Sequence, residues 1–217
     1  MTGKPFILHD YWRSSSAWRV RIALNLKNVD YARVTHDLLA GEQRADAYVA
    51  LAPQGLVPAL ETGGILLTQS VAIIEWLDQC FSHPALLPPD VDGRATVRAM
   101  AALIASDVQP LQNLRVLKAL KARFGADQAA IDDWARYWIE TGFGALETMV
   151  AEHGRGFCHG DHPSLADCVL IPQMFNADRY HADLSRFPAL NAVREHCEAL
   201  PAFAAAHPMR QPEALPP

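Results

Sequence analysis

The sequence lacks the features that mark several large classes of protein. It has no Cys-x-x-Cys pair, since Cys80, Cys158, Cys168 and Cys197 stand far apart, and we expect reduced thiols in a cytoplasmic protein rather than a zinc or dithiol site. It has no excess of positive charge: the formal net charge is -5, which argues against a nucleic-acid partner. It has no apolar run near the roughly 20 residues that span a bilayer and no apolar leader, so we expect neither a membrane partner nor a signal peptide.

What the 217 residues do contain is two parts of different character. The first part alternates between strand and helix patterns. The predicted strands lie at 6–8, 31–34, 57–60 and 65–67, and the predicted helices at 16–27, 42–51 and 69–81. We expect the first two strands to be parallel, because a helix joins them, and the last two to form an antiparallel hairpin around Gly63 and Gly64.

The second part shows only helical patterns. A segment with three prolines, at 83–92, reads as a linker. After it we predict long helices at 91–124 and 128–152, a helix that begins at Ser164, a helix at 187–200 and a proline-rich tail on the surface. The sequence thus predicts an α/β domain at 1–82 and an all-α domain at 93–217.

Three consecutive hydroxyls, Ser14, Ser15 and Ser16, stand where the first helix should begin. One serine is enough to cap a helix, so the others are free to donate hydrogen bonds. The free N–H groups of a helix N-terminus, its dipole and nearby Arg13 and Arg19 would together stabilise an anion such as a thiolate or a carboxylate. The alternative is a serine-rich turn with a capping role alone.

Four segments carry a resemblance to a known family. They are Arg13-Ser-Ser-Ser-Ala-Trp-Arg-Val-Arg21, Leu56-Val-Pro-Ala-Leu60, Gln69-Ser-Val-Ala-Ile-Ile-Glu-Trp-Leu77 and Gln109-Pro-Leu-Gln-Asn-Leu-Arg115. The chain resembles glutathione transferases of the zeta class, which includes maleylacetoacetate and maleylpyruvate isomerases. The resemblance implies a thioredoxin-like N-terminal domain that binds glutathione, an all-α C-terminal domain that binds substrate, and a homodimer.

The resemblance also implies a cis peptide bond before Pro58. It further implies which residues bind glutathione. They are Ser14, Ser15, Ser16, Ala17, Trp18, Arg19, Gln43, Val57, Pro58, Gln69, Ser70, Gln109, Asn113, Leu114 and Arg115. Ser14 is expected to be the main donor to the thiolate, with Ser15 and Ser16 assisting. Ser70, at a helix start, suits a carboxylate. Gln109 and Asn113 are four residues apart, which would place them on one helix face.

The implied reaction is isomerisation of a maleyl keto acid to its fumaryl form, with glutathione returned unchanged. Arginine suits the substrate carboxylates because its planar fork binds them bidentately, and the candidates are Arg13, Arg115 and Arg179, each of which could instead form a surface salt bridge. The zeta class usually has cysteine where this chain has Ser16. The alternatives are a transferase that conjugates or dehalogenates small α-halo acids, and a binding module without catalysis.

Two other groups are interpreted as structural. His153, His159, Asp161 and His162 cluster in the sequence, but their spacing fits no common metal site, and we expect no metal. Asp167 follows Ser164 by three residues and is predicted to complete a helix cap.

Overall fold

The computed structural model describes residues 5–214, which form two compact units. The first unit runs up to Leu86 and takes in the segment from Ala199 onwards; the second runs from Leu87 to Glu198. The elements of the first unit are β1 Phe6–Asp10, α1 Ser15–Leu26, β2 Tyr31–Thr35, a 3-10 turn Glu42–Arg44, α2 Asp46–Leu51, β3 Ala59–Thr62, β4 Ile65–Thr68, α3 Ser70–Cys80 and, after the second unit, α9 Pro201–Ala206.

The four strands form one sheet in the order β2-β1-β3-β4. β1 and β2 are parallel and β3 and β4 are antiparallel, which confirms the two predicted pairings. β3 is also antiparallel to β1, a pairing that the sequence analysis did not predict. In the register, His9 lies opposite Ala59, and Ala59 lies opposite Thr68. The end of β1, the start of β3 and the end of β4 therefore meet at one edge of the sheet, which we call the site edge.

Helix α1 is enclosed on all sides. Every residue from Ala17 to Leu24 is buried, and α1 packs against both α3 and α9. A helix that is buried all round is normally apolar all round, yet α1 carries Arg19 and Arg21 within this stretch. Both arginines thus need a structural or functional explanation.

The C-terminal segment departs from the predicted division of the chain, which placed it with the all-α domain. It belongs to the first unit because Phe203 is buried, α9 packs on α1, and Glu213 accepts hydrogen bonds from Arg33 and Thr35 of β2. The prediction of a surface tail was wrong for Pro208 and Gln211, which are buried. Pro216 and Pro217 lie outside the described residues.

The second unit is helical. Its elements are α4 Val91–Ala102, a π-helix Leu103–Val108, a 3-10 turn Gln109–Gln112, α5 Leu114–Phe124, α6 Gln128–His153, α7 Leu165–Arg179, a 3-10 turn Leu184–Arg186 and α8 Pro188–Glu198. The predicted helices at 128–152, from Ser164 and at 187–200 are confirmed within two residues at their ends. No helix in residues 5–214 is long and apolar enough to cross a bilayer.

The single helix predicted at 91–124 was wrong, because the structure breaks it at 109–113. Pro110 has no N–H to continue the helical hydrogen bonds. Asn113 is extended, with φ -64° and ψ 143°, and its side chain accepts from the N–H of Arg115 as the N-cap of a new helix. The break reorients the chain just where four of the predicted site residues lie.

Asp167, which the sequence analysis interpreted as structural, has that role. Asp167 accepts from the N–H and hydroxyl of Ser164 and from the N–H of Cys158, which confirms the predicted cap of α7. Burial raises the pKa of Asp167, against these hydrogen bonds, which lower it. His9 is packed in the first unit, with its ring nitrogens bonded to His36 and Glu61.

Candidate functional site

The site edge of the sheet gathers three of the four segments that the sequence analysis singled out. Ser14 follows the end of β1, the Val57–Pro58 peptide precedes the start of β3, and Gln69 and Ser70 follow the end of β4. The strand register alone brings them to this edge, although they are far apart in sequence.

Ser14 is the N-cap of α1. Its Oγ accepts from the N–H of Ala17 at 3.2 Å, and its backbone is extended, with φ -69° and ψ 115°. A hydroxyl that accepts through a lone pair keeps its hydrogen for donation. Ser14 can therefore cap the helix and donate to an anion at once, so the two interpretations of the serine run are compatible at this residue. The helix begins at Ser15, one residue earlier than predicted.

The residues after Ser14 differ in which of their groups are available to bind a ligand. Ser15 and Ser16 are half-buried in the first turn of α1, where N–H groups have no helical partner. Ala17 and Trp18 are buried, and the Trp18 ring packs edge-on against His207 at 5.2 Å. Their side chains thus belong to the core, and the predicted contacts of Ala17 and Trp18 with a cofactor would have to come from the backbone.

The Val57–Pro58 peptide bond is cis, as predicted. The Tyr48 hydroxyl donates to the carbonyl of Leu56 at 2.7 Å and holds the chain just before this peptide. In the described part of the chain, neither the N–H nor the carbonyl of Val57 is paired with another backbone group. A residue whose backbone N–H and carbonyl are both unpaired can form strand-like hydrogen bonds with the backbone of a bound peptide.

Gln69 and Ser70 form the N-terminus of α3. Gln69 has φ 68°, an uncommon conformation for a residue other than glycine, and its amide donates to Gln54 Oε1 at 2.7 Å. Ser70 is the first residue of α3 and is 6% exposed, and its hydroxyl accepts from Nη1 of Arg19 at 3.2 Å. Strained backbone beside a helix N-terminus is typical of a ligand site.

Gln43 reaches the same region through the turn at Gly55. Gly55 has φ +57°, and a Cβ there would lie 2.8 Å from the Gln43 carbonyl, so glycine permits the close approach. Arg44 donates to the carbonyl of Gln54, whose side chain in turn accepts from Gln69. Gln54 was missed by the sequence analysis, because nothing local in the sequence links it to Gln69.

The remaining predicted residues belong to the second unit. Gln109 starts a 3-10 turn, and Asn113 caps α5 in an extended conformation, so the expected shared helix face was wrong, because the break at 109–113 interrupts the helix. Leu114 and Arg115 are the first two residues of α5.

The three candidate arginines have different environments. Arg13 is half-buried and lies over the Trp12 ring, with its guanidinium carbon 5.5 Å from the centroid. Arg115 is exposed, and Arg179 is exposed at the end of α7, 5.2 Å from the centroid of the Tyr180 ring. Exposed guanidinium groups can bind a carboxylate from solution.

Taken by itself, the first unit holds groups whose chemistry suits a small peptide thiol. A capping hydroxyl at a helix N-terminus suits a thiolate, an unpaired Val57 backbone suits a peptide, and a second helix N-terminus suits a carboxylate. These groups fit glutathione, a tripeptide with one thiol and a carboxylate at each end.

Comparison with known proteins agrees with this chemistry. The N-terminal domain of glutathione S-transferases matches residues 13–80, and their C-terminal domain matches residues 116–199. The maleylpyruvate isomerase of a Ralstonia species is 48% identical over 95% of this chain and 98% of the relative. The maleylacetoacetate isomerase of Pseudomonas aeruginosa is 43% identical over 95% of this chain and 97% of the relative.

Solved structures show the same likeness. A bacterial zeta-class maleylpyruvate isomerase in its holo form has a TM-score of 0.94 at 46% identity, covering 96% of this chain and 100% of that chain. The maleylacetoacetate isomerase of Anaeromyxobacter dehalogenans 2CP-1, solved with glutathione in its active site, has a TM-score of 0.88 at 48% identity, covering 97% and 98%. The protein therefore belongs to the zeta class of the glutathione S-transferase family.

Proposed function

We propose that this protein is a glutathione-dependent cis–trans isomerase that converts a maleyl keto acid, maleylacetoacetate or maleylpyruvate, to its fumaryl isomer in aromatic-compound breakdown. The observation that carries the proposal is the Ser14 cap of α1, whose hydroxyl hydrogen is left to donate to a thiolate. The names of relatives that match nearly the whole chain support the reaction.

When bound, glutathione supplies a thiolate that adds reversibly to the double bond of the substrate, which permits rotation about that bond. The protein's task is to keep the thiol ionised. A free thiol has a pKa near ~8.5, so a small fraction is thiolate at neutral pH. A hydrogen bond from Ser14 and the N-terminal dipole of α1 each contribute roughly 1 kcal/mol, which together lower the thiol pKa by one to two units.

The other residues hold the cofactor and the substrate. We assign the backbone of Val57 to the cysteinyl part of glutathione, Gln69 and Ser70 to its γ-glutamyl carboxylate, and Gln43 to its glycyl end. Arg13, Arg115 and Arg179 are the candidates for the carboxylates of the substrate, because a guanidinium group binds them bidentately. The proposal includes a homodimer and a cytoplasmic location, which gel filtration and cell fractionation would test.

The test follows the ultraviolet decay of maleylpyruvate and of maleylacetoacetate with catalytic glutathione, coupled to a fumaryl-specific hydrolase. We expect turnover that requires glutathione and leaves its thiol concentration constant, and the two rates rank the substrates. Stoichiometric loss of the thiol would contradict isomerisation and indicate conjugation. Turnover without glutathione would contradict the assigned cofactor.

A further inference from the structure

Two buried arginines, Arg19 and Arg21, stand two residues apart in α1 and differ in their partners. Every guanidinium nitrogen of Arg21 has a partner: Nη1 donates to both oxygens of Asp10, Nε to the carbonyl of Ala206 and Nη2 to that of Trp12. The Arg21 guanidinium thus joins three parts of the first unit. Its contacts explain why a charge is retained there.

Arg19 is buried to a similar degree, at 2% exposure, but only one of its three guanidinium nitrogens has a hydrogen-bond partner among the described residues. Nη1 donates to Ser70 Oγ, while Nε and Nη2 are buried and have no hydrogen-bond partner among the described residues. Burial lowers the pKa of Arg19 to about 10, so it remains a cation at neutral pH. A buried cation without a counter-charge destabilises the fold and favours an anion nearby.

The hydrogen bond to Ser70 fixes the direction of that hydroxyl. Arginine has donors and no acceptor, so Ser70 Oγ must accept from Arg19. The hydroxyl hydrogen is then left for donation to another group, at the N-terminus of α3, where the first N–H groups also have no helical partner. Ser70 is thereby held as a donor, with a positive charge directly behind it.

We propose that Arg19 is a positioning residue that prepares Ser70 to bind the α-carboxylate at the γ-glutamyl end of glutathione. The inference rests on the proposed function for the identity of the ligand. Arg19 acts through Ser70 and supplies the counter-charge that the carboxylate lacks in the N-terminal turn of α3. The unpaired charge is kept because it is matched only when the anion is bound.

This role predicts opposite effects on stability and on binding. Arg19→Met replaces an unpaired buried cation by an apolar side chain, so the thermal midpoint of the unliganded protein should stay equal or rise. Its affinity for glutathione should fall roughly 10- to 100-fold, because Ser70 loses the charge-assisted hydrogen bond from Arg19 that positions it. The matched control, Arg21→Met, should lower the thermal midpoint strongly, because it leaves Asp10 buried with one fewer partner.

Calorimetric titration with two ligands tests whether Arg19 acts on the α-carboxylate of glutathione. The first is glutathione, and the second is γ-aminobutyryl-cysteinyl-glycine, which lacks the α-carboxylate. Arg19→Met should bind the second ligand as tightly as the wild-type protein does. Ser70→Ala and the double variant Arg19→Met/Ser70→Ala should lose similar affinity for glutathione, since both residues act on one group. Arg19→Lys, which keeps the charge, should recover part of the loss.

Equal losses of affinity for both ligands in Arg19→Met, or a drop in its unliganded thermal midpoint, would show a merely structural role and overturn the inference. Wild-type affinity for glutathione in Arg19→Met would overturn it as well. These readouts measure binding and not turnover. A protein that shows the expected binding pattern but does not isomerise maleyl keto acids would refute the proposed reaction and leave the role of Arg19 supported.

Discussion

Nη1 of Arg21 lies 2.7 Å from Oδ1 and 2.9 Å from Oδ2 of Asp10, and neither side chain is exposed to solvent. Arg33 of β2 donates to the same carboxylate at 2.8 Å. The three side chains therefore connect α1 and β2 to the end of β1, at the edge of the sheet where Ser14 follows.

Asp10→Asn should destabilise the protein by about 3–5 kcal/mol, because it leaves the buried Arg21 cation without its counter-charge. Urea unfolding monitored by circular dichroism measures the change. Asp30→Asn is the control, since Asp30 is exposed, and it should change the free energy of unfolding by less than about 0.5 kcal/mol. Similar values for the two variants would contradict the assigned role of Asp10.

Ser14→Gly should raise the pKa of the bound glutathione thiol by about one unit, because it removes the proposed hydroxyl donor. Glycine is a tolerable N-cap, so the variant should lose only a few tenths of a kcal/mol in stability, whereas Ser14→Ala should lose about 1 kcal/mol. The ultraviolet absorbance of the bound thiolate, measured as a function of pH, gives the pKa of the thiol. A larger shift in Ser16→Ala than in Ser14→Gly would mean that Ser16 is the main donor, against the assignment made here.

Ser16→Cys should create a reactive thiol that the natural sequence lacks. Of the cysteines present, Cys158, Cys168 and Cys197 are buried, and burial raises the pKa of the half-buried Cys80 thiol. A thiol in the first turn of α1 would have a lowered pKa and react readily. Mass spectrometry after iodoacetamide treatment should find rapid modification at position 16 of the variant, and Ser16→Ala should match the wild type. Alkylation at position 16 that is no faster than alkylation of the half-buried Cys80 would contradict an anion-stabilising first turn.

Gly142→Ala should destabilise the protein by about 1–3 kcal/mol. A Cβ at this position of α6 would lie 2.1 Å from Cγ2 of Val108, at the end of the π-helix that leads into Gln109. Gly144 of the same helix has nothing within 4 Å of its Cβ position, so Gly144→Ala should stabilise by about 0.5–1 kcal/mol. Thermal and urea unfolding measure both. Val108→Ala should partly restore Gly142→Ala; no restoration would mean that the clash lies elsewhere.

The protein should lose stability as the pH falls from about 7 to about 5, in part through His36. Burial and then the neighbouring His9 lower the pKa of His36 in the folded state. A lowered pKa favours the neutral ring, so its contribution is present above the unfolded pKa of about 6.5 and is lost as pH falls through the folded value. The urea midpoint of His36→Gln should depend less on pH over this interval. An unchanged pH dependence would exclude His36 as a source.

Most of the fold could be predicted from the sequence, because the signals for turns and helix caps are local. The paired glycines at 63–64 turn β3 into β4, and Ser164 with Asp167 caps α7, as the spacing of three residues indicated. The break in the helix at 109–113 was missed, although Pro110 marks it, because helical segments lie on both sides of it. For predicting where a helix ends, a proline is a stronger signal than the helical pattern that surrounds it.

The sequence by itself determined the family and the residue types of the candidate site, because a serine run before a helix and a proline before a strand are contiguous patterns. Only the tertiary structure decided which of these residues share an edge, since that depends on strand register between segments far apart in the chain. It also separated Arg21, whose three guanidinium nitrogens all have partners, from Arg19, which keeps two buried nitrogens without a partner among the described residues. Burial and pairing arise from long-range packing, so the sequence alone does not distinguish these two arginines of one helix.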